Sequence, residues 1–372
     1  MVAGAIDLRL GSPTDPPPDV VLTAMAGATD TLAGYGRSVG SPAYREAAAT
    51  WMARRLGVEV DPADVAACVG TKEFVGSLAL LLGPLVEPGR DTVLVPAVAY
   101  PTYAVGAQLA GCRVVRVPMT PEFTLDVDAI DPADAARARL LWLNTPGNPA
   151  GGLDDLGAAA AWGRAHGVVV CSDECYVEFT WAGQPTGEAQ LPGATVLSAG
   201  SAGVLALHSL SKRSNLAGGR AGAYAGDPSL VAALGEHRRE LGLVVPGPIQ
   251  AAAAAAWGDQ HHVVVQRERY RRRLDRLAEA AALAGFPSHQ LPGGGFYLWL
   301  EVGGPEGPVV AALERAGVLV QPGSLYGPAG AGRVRLAAVR PDAEVEEAAR
   351  RLASLPDGWM DAGGGELAGS GR

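Results

Sequence analysis

Between about residue 44 and residue 245, short apolar runs alternate with helix-like stretches, and this alternation constrains the fold more than any other feature. The candidate strands cover residues 91–96, 112–119, 138–144, 167–174, 203–211 and 218–226. Several are apolar without a polar alternation, the pattern of strands covered on both faces. Between them lie helix-like segments at residues 74–86, 101–111, 153–167 and 227–241. Alternating β and α elements predict a mostly parallel sheet sandwiched by helices. A long helical stretch is expected from Gln250 to Ala284, and beyond it the pattern changes to strand–helix–strand, ending in a helix over residues 341–354.

The expectation is therefore an α/β chain in two parts. Residues 34–250 form a large ligand-binding domain, and residues 251–355 supply an interdomain helix and a smaller α+β domain. Residues 1–33 are expected to join the smaller domain, and the Gly-rich residues 356–372 to form a disordered tail. A length of 372 residues fits such a division.

Charge and composition exclude several function classes. The formal net charge is -9, with acidic residues spread along the chain. A nucleic-acid partner needs clustered Lys and Arg, so none is expected. The first residues lack the apolar core of a secretion signal, and no run approaches the ~20 apolar residues that span a bilayer. Cys68, Cys112, Cys171 and Cys175 form no CxxC pair. They are expected to be reduced and mostly buried, in a cytoplasmic protein without a metal.

Scarcity is more informative. Only two lysines occur, Lys72 and Lys212, and only three asparagines, Asn144, Asn148 and Asn215. The excess of Ala, Gly, Arg and Pro has the footprint of a GC-rich genome, which disfavours Lys and Asn codons. A lysine or asparagine that persists under such a bias is a candidate for required chemistry.

Six segments carry that chemistry. In HSLSKRSNLAGGRAG (residues 208–222) a strand ends in a Ser-x-Ser-Lys loop, with an Arg-x-Gly eight residues on. Lys212 suits an amine that attacks a carbonyl beside a phosphate, while Ser209, Ser211 and Arg220 suit the phosphate oxygens. Asp173 ends an apolar strand, where open α/β sheets place ligands. Its carboxylate could pair with a pyridinium nitrogen, and Tyr176 could bond the same ring's phenolic oxygen. Asn148, in a Pro- and Gly-rich turn, offers an amide to that oxygen. Gly70, Thr71 and Lys72 open an apolar helix whose first amides make an anion site. Tyr100, just after a strand, could stack on a planar heteroaromatic ring. Arg335 is chosen over Arg333 and Arg340 as the fork for a substrate carboxylate. Each of these positions also has a plainer reading as a turn, a cap, a core aromatic or a solvated charge.

In this order the segments resemble the class I/II aminotransferases of the fold-type I pyridoxal-phosphate enzymes. The resemblance runs from Gly11 to about Leu352. Its most specific piece is Ser-x-Ser-Lys-x7-Arg-x-Gly, filled by Ser209, Ser211, Lys212, Arg220 and Gly222, with Asn-Pro-x-Gly at Asn148 and Asp-x-x-Tyr at Asp173. The resemblance implies a seven-stranded sheet in the large domain, pyridoxal 5'-phosphate as cofactor, and Lys212, Asp173 and Tyr176 as the catalytic set. It implies that Tyr35 reaches the phosphate of a partner subunit, so that active sites are shared across a homodimer. It also implies that the backbone of Gly11, with Asn148 and Arg335, lies at the substrate carboxylate.

More narrowly, HSLSKRSNLAG and VGTKE resemble the actinobacterial succinyldiaminopimelate transaminases. These exchange the amino group of N-succinyl-LL-2,6-diaminopimelate for the keto group of 2-oxoglutarate, in lysine and diaminopimelate biosynthesis. Gly219 and Ala223 depart from that pattern, where aromatics are common, and are expected to leave space near the phosphate arm. Arg37 and Arg213 are the candidates for the distal end of such a donor. Rival readings are an aminotransferase of other specificity and a carbon–sulfur lyase on the same fold.

Overall fold

The computed structural model of the chain describes residues 4–181, 190–191, 193–287 and 291–360. Twelve strands occur among them: β1 (Ile6–Asp7), β2 (Val65–Cys68), β3 (Thr92–Pro96), β4 (Arg113–Val117), β5 (Ala138–Asn144), β6 (Val169–Asp173), β7 (Val204–Ser209), β8 (Gly222–Gly226), β9 (Tyr297–Glu301), β10 (Val318–Leu319), β11 (Gln321–Pro322) and β12 (Arg333–Ala337).

Seven of them form one sheet in the order β2-β8-β7-β6-β5-β3-β4. The pairs from β7 through to β4 are parallel, and β8 alone runs against both of its neighbours. The expected strands are all present. The resulting α/β architecture has a mostly parallel sheet flanked by helices. β5 to β8 are buried almost throughout, which explains their unbroken apolar sequence.

Strand direction positions the site. β3, β5, β6 and β7 run the same way, so Pro96, Asn144, Asp173 and Ser209 end on one edge. β2 is antiparallel to β8, and β8 to β7, so Cys68 also ends there and Gly222 begins there. Every loop leaving that edge is the expected place for ligands in an open α/β sheet.

A second sheet, β11-β12-β9, is antiparallel, and β1 pairs with β10. Ile6 and Leu8 join Leu298, Leu300, Val334 and Leu336 in one apolar core, with Leu274 and Leu277. Thr14 and Asp15 stay with this part, the Thr14 hydroxyl donating to the Val339 carbonyl at 2.7 Å and Asp15 pairing with Arg273, whereas in helix Asp19–Ala26 Val21 is fully buried in the core under the large sheet.

The helical stretch expected from Gln250 to Ala284 is two helices, Gly247–Gly258 and His261–Leu283. Asp259 breaks it: its backbone is extended, and its carboxylate accepts from the His261 amide at 3.0 Å and pairs with His262 Nδ1 at 2.6 Å. A local bond of this kind between an aspartate side chain and the amide two residues on competes with a continuous helix. Ala252, Ala253, Ala256 and Trp257 belong to the large core, so the change of core falls at this break.

The tail expectation is corrected at its start. Residues 356–360 are turn, and Trp359 is buried against Phe286, its indole N–H donating to the Ala284 carbonyl at 2.7 Å. A large aromatic with its one donor satisfied adds apolar area to a small core. Residues 361–372 lie outside the described residues. All four cysteines are buried and unpaired. No helix among the described residues is long and apolar enough to cross a membrane.

Truncating the buried indole should leave a cavity. Trp359→Ala is expected to cost about 3–5 kcal/mol, read as a lowered Tm of the cofactor-free chain. An unchanged Tm would show that residues 356–360 are not part of the packed core.

Candidate active site

A cleft of about 710 Å³ opens at the carboxyl edge of the large sheet, between it and strand β12. Thr71, Lys72, Tyr100, Asn148, Asp173, Tyr176, Ser209, Ser211, Lys212, Arg220, Arg335 and Gly11 all line it. Residues from both sheets and from the N-terminal segment thus meet in one cavity. Both lysines and two of the three asparagines are among them.

Lys212 lies in the short turn Leu210–Arg213 that follows β7. Ser209 caps this turn, its hydroxyl accepting from the Ser211 amide at 3.1 Å. The Lys212 ammonium donates to the Gly11 carbonyl and has no carboxylate bonded to it among the described residues. Removal from bulk water pulls its pKa down to about 8, and the nearby Arg335 and Arg220 charges add to that effect. Such an amine is available in its neutral, nucleophilic form near physiological pH.

Asp173 ends β6 and is buried on the cleft floor. The Tyr103 hydroxyl donates to its Oδ2 at 2.8 Å, and the Cys175 amide donates to its Oδ1 at 3.2 Å. Burial pushes its carboxyl up, while these donors and the Lys212 charge pull it back toward the ionised form. Asn144 fixes the adjacent turn: its Nδ2 donates to the Asp173 carbonyl, and its Oδ1 accepts from the Asn148 amide at 2.7 Å. The Asn148 carboxamide oxygen then accepts from Arg335 Nη1, also at 2.7 Å.

Arg335 is on the middle strand of the small sheet. Its guanidinium lies 4.0 Å from the Tyr297 ring centroid and 5.1 Å from that of Tyr326. A second nitrogen donates to the Arg9 carbonyl, and Nε is buried without a partner. The rivals are elsewhere: Arg333 lies over Phe123, and Arg340 pairs with Glu344. The Tyr176 hydroxyl bonds that of Tyr297 at 2.9 Å.

The anion end of the cleft is built by backbone. Helix Thr71–Leu82 starts there, presenting its first-turn amides. Gly70 precedes it at φ +72°, and a Cβ at this position would fall 2.3 Å from the Arg220 guanidinium. The positive φ favours glycine here, and any side chain would displace the Arg220 guanidinium from the helix start. Arg220 itself has φ +53°, and its guanidinium donates to the Ala217 carbonyl at 2.9 Å. The Thr71 hydroxyl accepts from the Cys175 thiol at 3.3 Å.

This donor set fits pyridoxal phosphate. An amine without a carboxylate partner faces a buried carboxylate across the cavity. A helix start, an arginine and two serine hydroxyls suit a phosphate, and a guanidinium with an unpartnered nitrogen suits a carboxylate.

Some expected residues are not in the cleft. Tyr35 is fully exposed outside it. Arg213 is buried between Trp51 and Trp257 and paired with Glu178, so it has no part in the site. Arg37 is exposed away from it. Nor do Gly219 and Ala223 create space there. Ala223 is packed in the core beneath the sheet, and a Cβ on Gly219 would meet the Leu216 side chain at 2.7 Å. Tyr103, Tyr297, Tyr326 and Cys175 line the cleft without having been singled out. Tyr100 precedes the helix Thr102–Leu109 and Tyr103 lies in its first turn, and the two rings meet edge-on with centroids 6.0 Å apart. Tyr297 lies in a strand of the smaller domain and had no sequence sign of its place in the cleft.

The chain also has relatives among known proteins. The sequence model of the family described as aminotransferase class I and II matches residues 3–352. The chain is 43% identical to the 4-dedimethylamino-4-oxo-anhydrotetracycline transaminase of Streptomyces rimosus, over 94% of this chain and 93% of that one. It is 34% identical to an LL-diaminopimelate aminotransferase of Dehalococcoides mccartyi, over 94% and 91% of the two chains. Its fold matches that of the N-succinyldiaminopimelate aminotransferase from Mycobacterium tuberculosis with a TM-score of 0.83 and 29% identity, over 94% and 93%. The chain belongs to the class I and II aminotransferases, a family that depends on pyridoxal phosphate.

Proposed function

We propose that this aminotransferase moves the amino group of N-succinyl-LL-2,6-diaminopimelate to 2-oxoglutarate, in lysine and diaminopimelate biosynthesis. The observation that carries the reaction class is the convergence of Lys212, Asp173 and Arg335 in one cleft from three separate parts of the fold. The donor is supported by the fold match to an N-succinyldiaminopimelate aminotransferase and by the sequence match to LL-diaminopimelate aminotransferases. It is also supported by the cleft mouth. Lys72 holds its ammonium 5.9 Å from the Tyr100 ring centroid, with no carboxylate paired to it among the described residues. A donor with a second carboxylate would supply that partner. The transaminase of Streptomyces rimosus, at higher identity, favours a second reading: an aminotransferase of a different donor specificity.

The roles in this reading are as follows. Bound pyridoxal phosphate supplies an electron sink for the pair released at the substrate's α-carbon. Lys212 anchors the cofactor and, once freed, takes and returns the α-proton at its Nζ. Asp173 holds the proton on the pyridine nitrogen, and Tyr103 keeps that carboxylate aimed. Asn148 and Tyr176 bond the phenolic oxygen. Gly70, Thr71, Lys72 (through its backbone amide), Ser209, Ser211 and Arg220 hold the phosphate, and Tyr100 covers the ring face. Arg335 orients the α-carboxylate, with Asn148 and the Gly11 backbone beside it. Tyr35, exposed in a single chain, reaches the phosphate of a second subunit in a homodimer.

Two experiments check this reading. In a donor screen with 2-oxoglutarate, glutamate should form fastest with N-succinyl-LL-diaminopimelate, and slower with LL-diaminopimelate or acetylornithine. A faster rate with either of the latter reassigns the donor, and keto acid with free ammonia in the absence of 2-oxoglutarate indicates a lyase. The second concerns Lys212. Its amine loses a proton near pH 8 in the folded chain and near 10.5 when unfolded, so the neutral form is favoured by folding. Capture of pyridoxal phosphate by the cofactor-free chain should accelerate as pH rises through about 8, and stability should rise from there toward 10.5. In Lys212→Met both dependences should vanish; a capture rate unaffected by pH over this interval would contradict the assignment.

A further inference from the structure

Phe123 stands at the tip of a short hairpin that follows β4 and leans away from the large sheet. Met119 and Leu125 form its bridge, the Thr120 amide donates to the Thr124 carbonyl at 2.9 Å, and the two threonine hydroxyls bond at 2.8 Å. Phe123 has φ +59°. An aromatic residue rarely adopts that conformation, and such outliers persist where the surroundings impose them.

What surrounds the ring is strand β12 and its neighbour. The Arg333 guanidinium lies 5.3 Å from the ring centroid, and the Trp299 indole meets it edge-on at 6.4 Å. Arg335 is two residues beyond Arg333, on the same face of the strand, and Trp299 is its cross-strand partner in β9. The ring therefore lies against two of the residues that neighbour Arg335 in the small sheet, Gln321 on β11 being another. Cavities of about 450 and 370 Å³ open on either side, and Phe123 lines both.

The hairpin is tied to the loop that carries Asn148. The Leu125 amide donates to Asp154 Oδ1 at 2.8 Å, and the Asp154 amide donates to the Thr145 hydroxyl at 2.8 Å. The Phe123 carbonyl presses on Gly152 so closely that a Cβ there would fall 2.1 Å from the oxygen. The same loop reaches Arg335 through the 2.7 Å bond from Nη1 to the Asn148 carboxamide. Strand β12 is thus held to the large sheet at two points by two loops bonded to each other, once inside the cleft and once outside it.

We propose that Phe123 is a positioning residue for substrate binding: through Arg333 and Trp299 it sets where strand β12 presents Arg335 to the substrate carboxylate. This rests on the reading of Arg335 as the carboxylate-binding residue. The contact acts on ground-state and transition-state binding alike, because the carboxylate is held throughout the reaction. Losing it weakens binding and leaves the chemical step intact.

The test is the half-reaction of the holoenzyme with L-glutamate, followed through cofactor absorbance, which separates apparent Kd from the limiting rate. Phe123→Asn keeps a residue that tolerates positive φ and removes the ring. It should raise the Kd for L-glutamate about three- to tenfold, the size of a lost cation–π contact, with the rate and cofactor affinity within about twofold. Phe123→Tyr should behave as wild type, and Arg333→Met should raise Kd in the same direction. Should Phe123→Asn not fold, Arg333→Met carries the test. Unchanged Kd in these variants, with a large rise in Arg335→Leu, overturns the proposal alone, as does an equal loss of rate and cofactor affinity. An unchanged Kd in Arg335→Leu, or a wild type inert toward L-glutamate, overturns the reading of Arg335 and the proposal with it.

Discussion

The hydrogen bond from Arg335 to Asn148 ties the small sheet to the large one beside an apolar cluster that Tyr176 and Phe179 share with Phe296, Tyr297 and Val339. Its donor comes from the middle of a three-stranded antiparallel sheet, and its acceptor from a loop at the carboxyl edge of a seven-stranded one. Everything that makes the cleft useful depends on that distance being right. Asn144 fixes Asn148 from below, and the same side chain fixes the turn at Asp173. Tyr297 lies under the Arg335 guanidinium and bonds Tyr176. A small displacement of β12 would therefore be felt at the carboxylate site and at the ring site together.

The cleft gathers polar groups whose burial is unfavourable in isolation. Lys212 is kept as a weakly basic amine by removal from water, and Asp173 is held by two donors in a buried floor. Arg335 retains an unpartnered nitrogen. Such unmet needs are what a cofactor and a substrate carboxylate satisfy, so the same groups that destabilise the cofactor-free chain supply binding once the cleft is filled.

Much of this was legible in the chain. The unbroken apolar runs predicted strands covered on both faces, and every predicted strand of the large sheet is present. Codon bias drew attention to Lys212, Lys72, Asn144 and Asn148, and all four line the cleft. What escaped has physical causes. Asp259 breaks a helix that Ala-rich periodicity predicts as continuous, because its side chain bonds the backbone locally at the His261 amide. Arg213 looks like a loop cation in sequence, yet it is locked by Glu178 between two tryptophans, a pairing of residues 35 apart in the chain. Gly219 and Ala223 suggested space near the cofactor, but their neighbours are Leu216 and the core, which no local pattern reveals. Tyr297 was hidden for the opposite reason: an aromatic in a strand gives no sign of which face meets a cleft.

The central claim is that Lys212 is the cofactor's covalent anchor, and a chain with two lysines allows a direct measurement. Holoenzyme reduced with borohydride and digested for peptide mass mapping should carry the pyridoxyl group on the peptide containing Lys212, with none on that containing Lys72. A label on Lys72, or on neither lysine, would contradict the account.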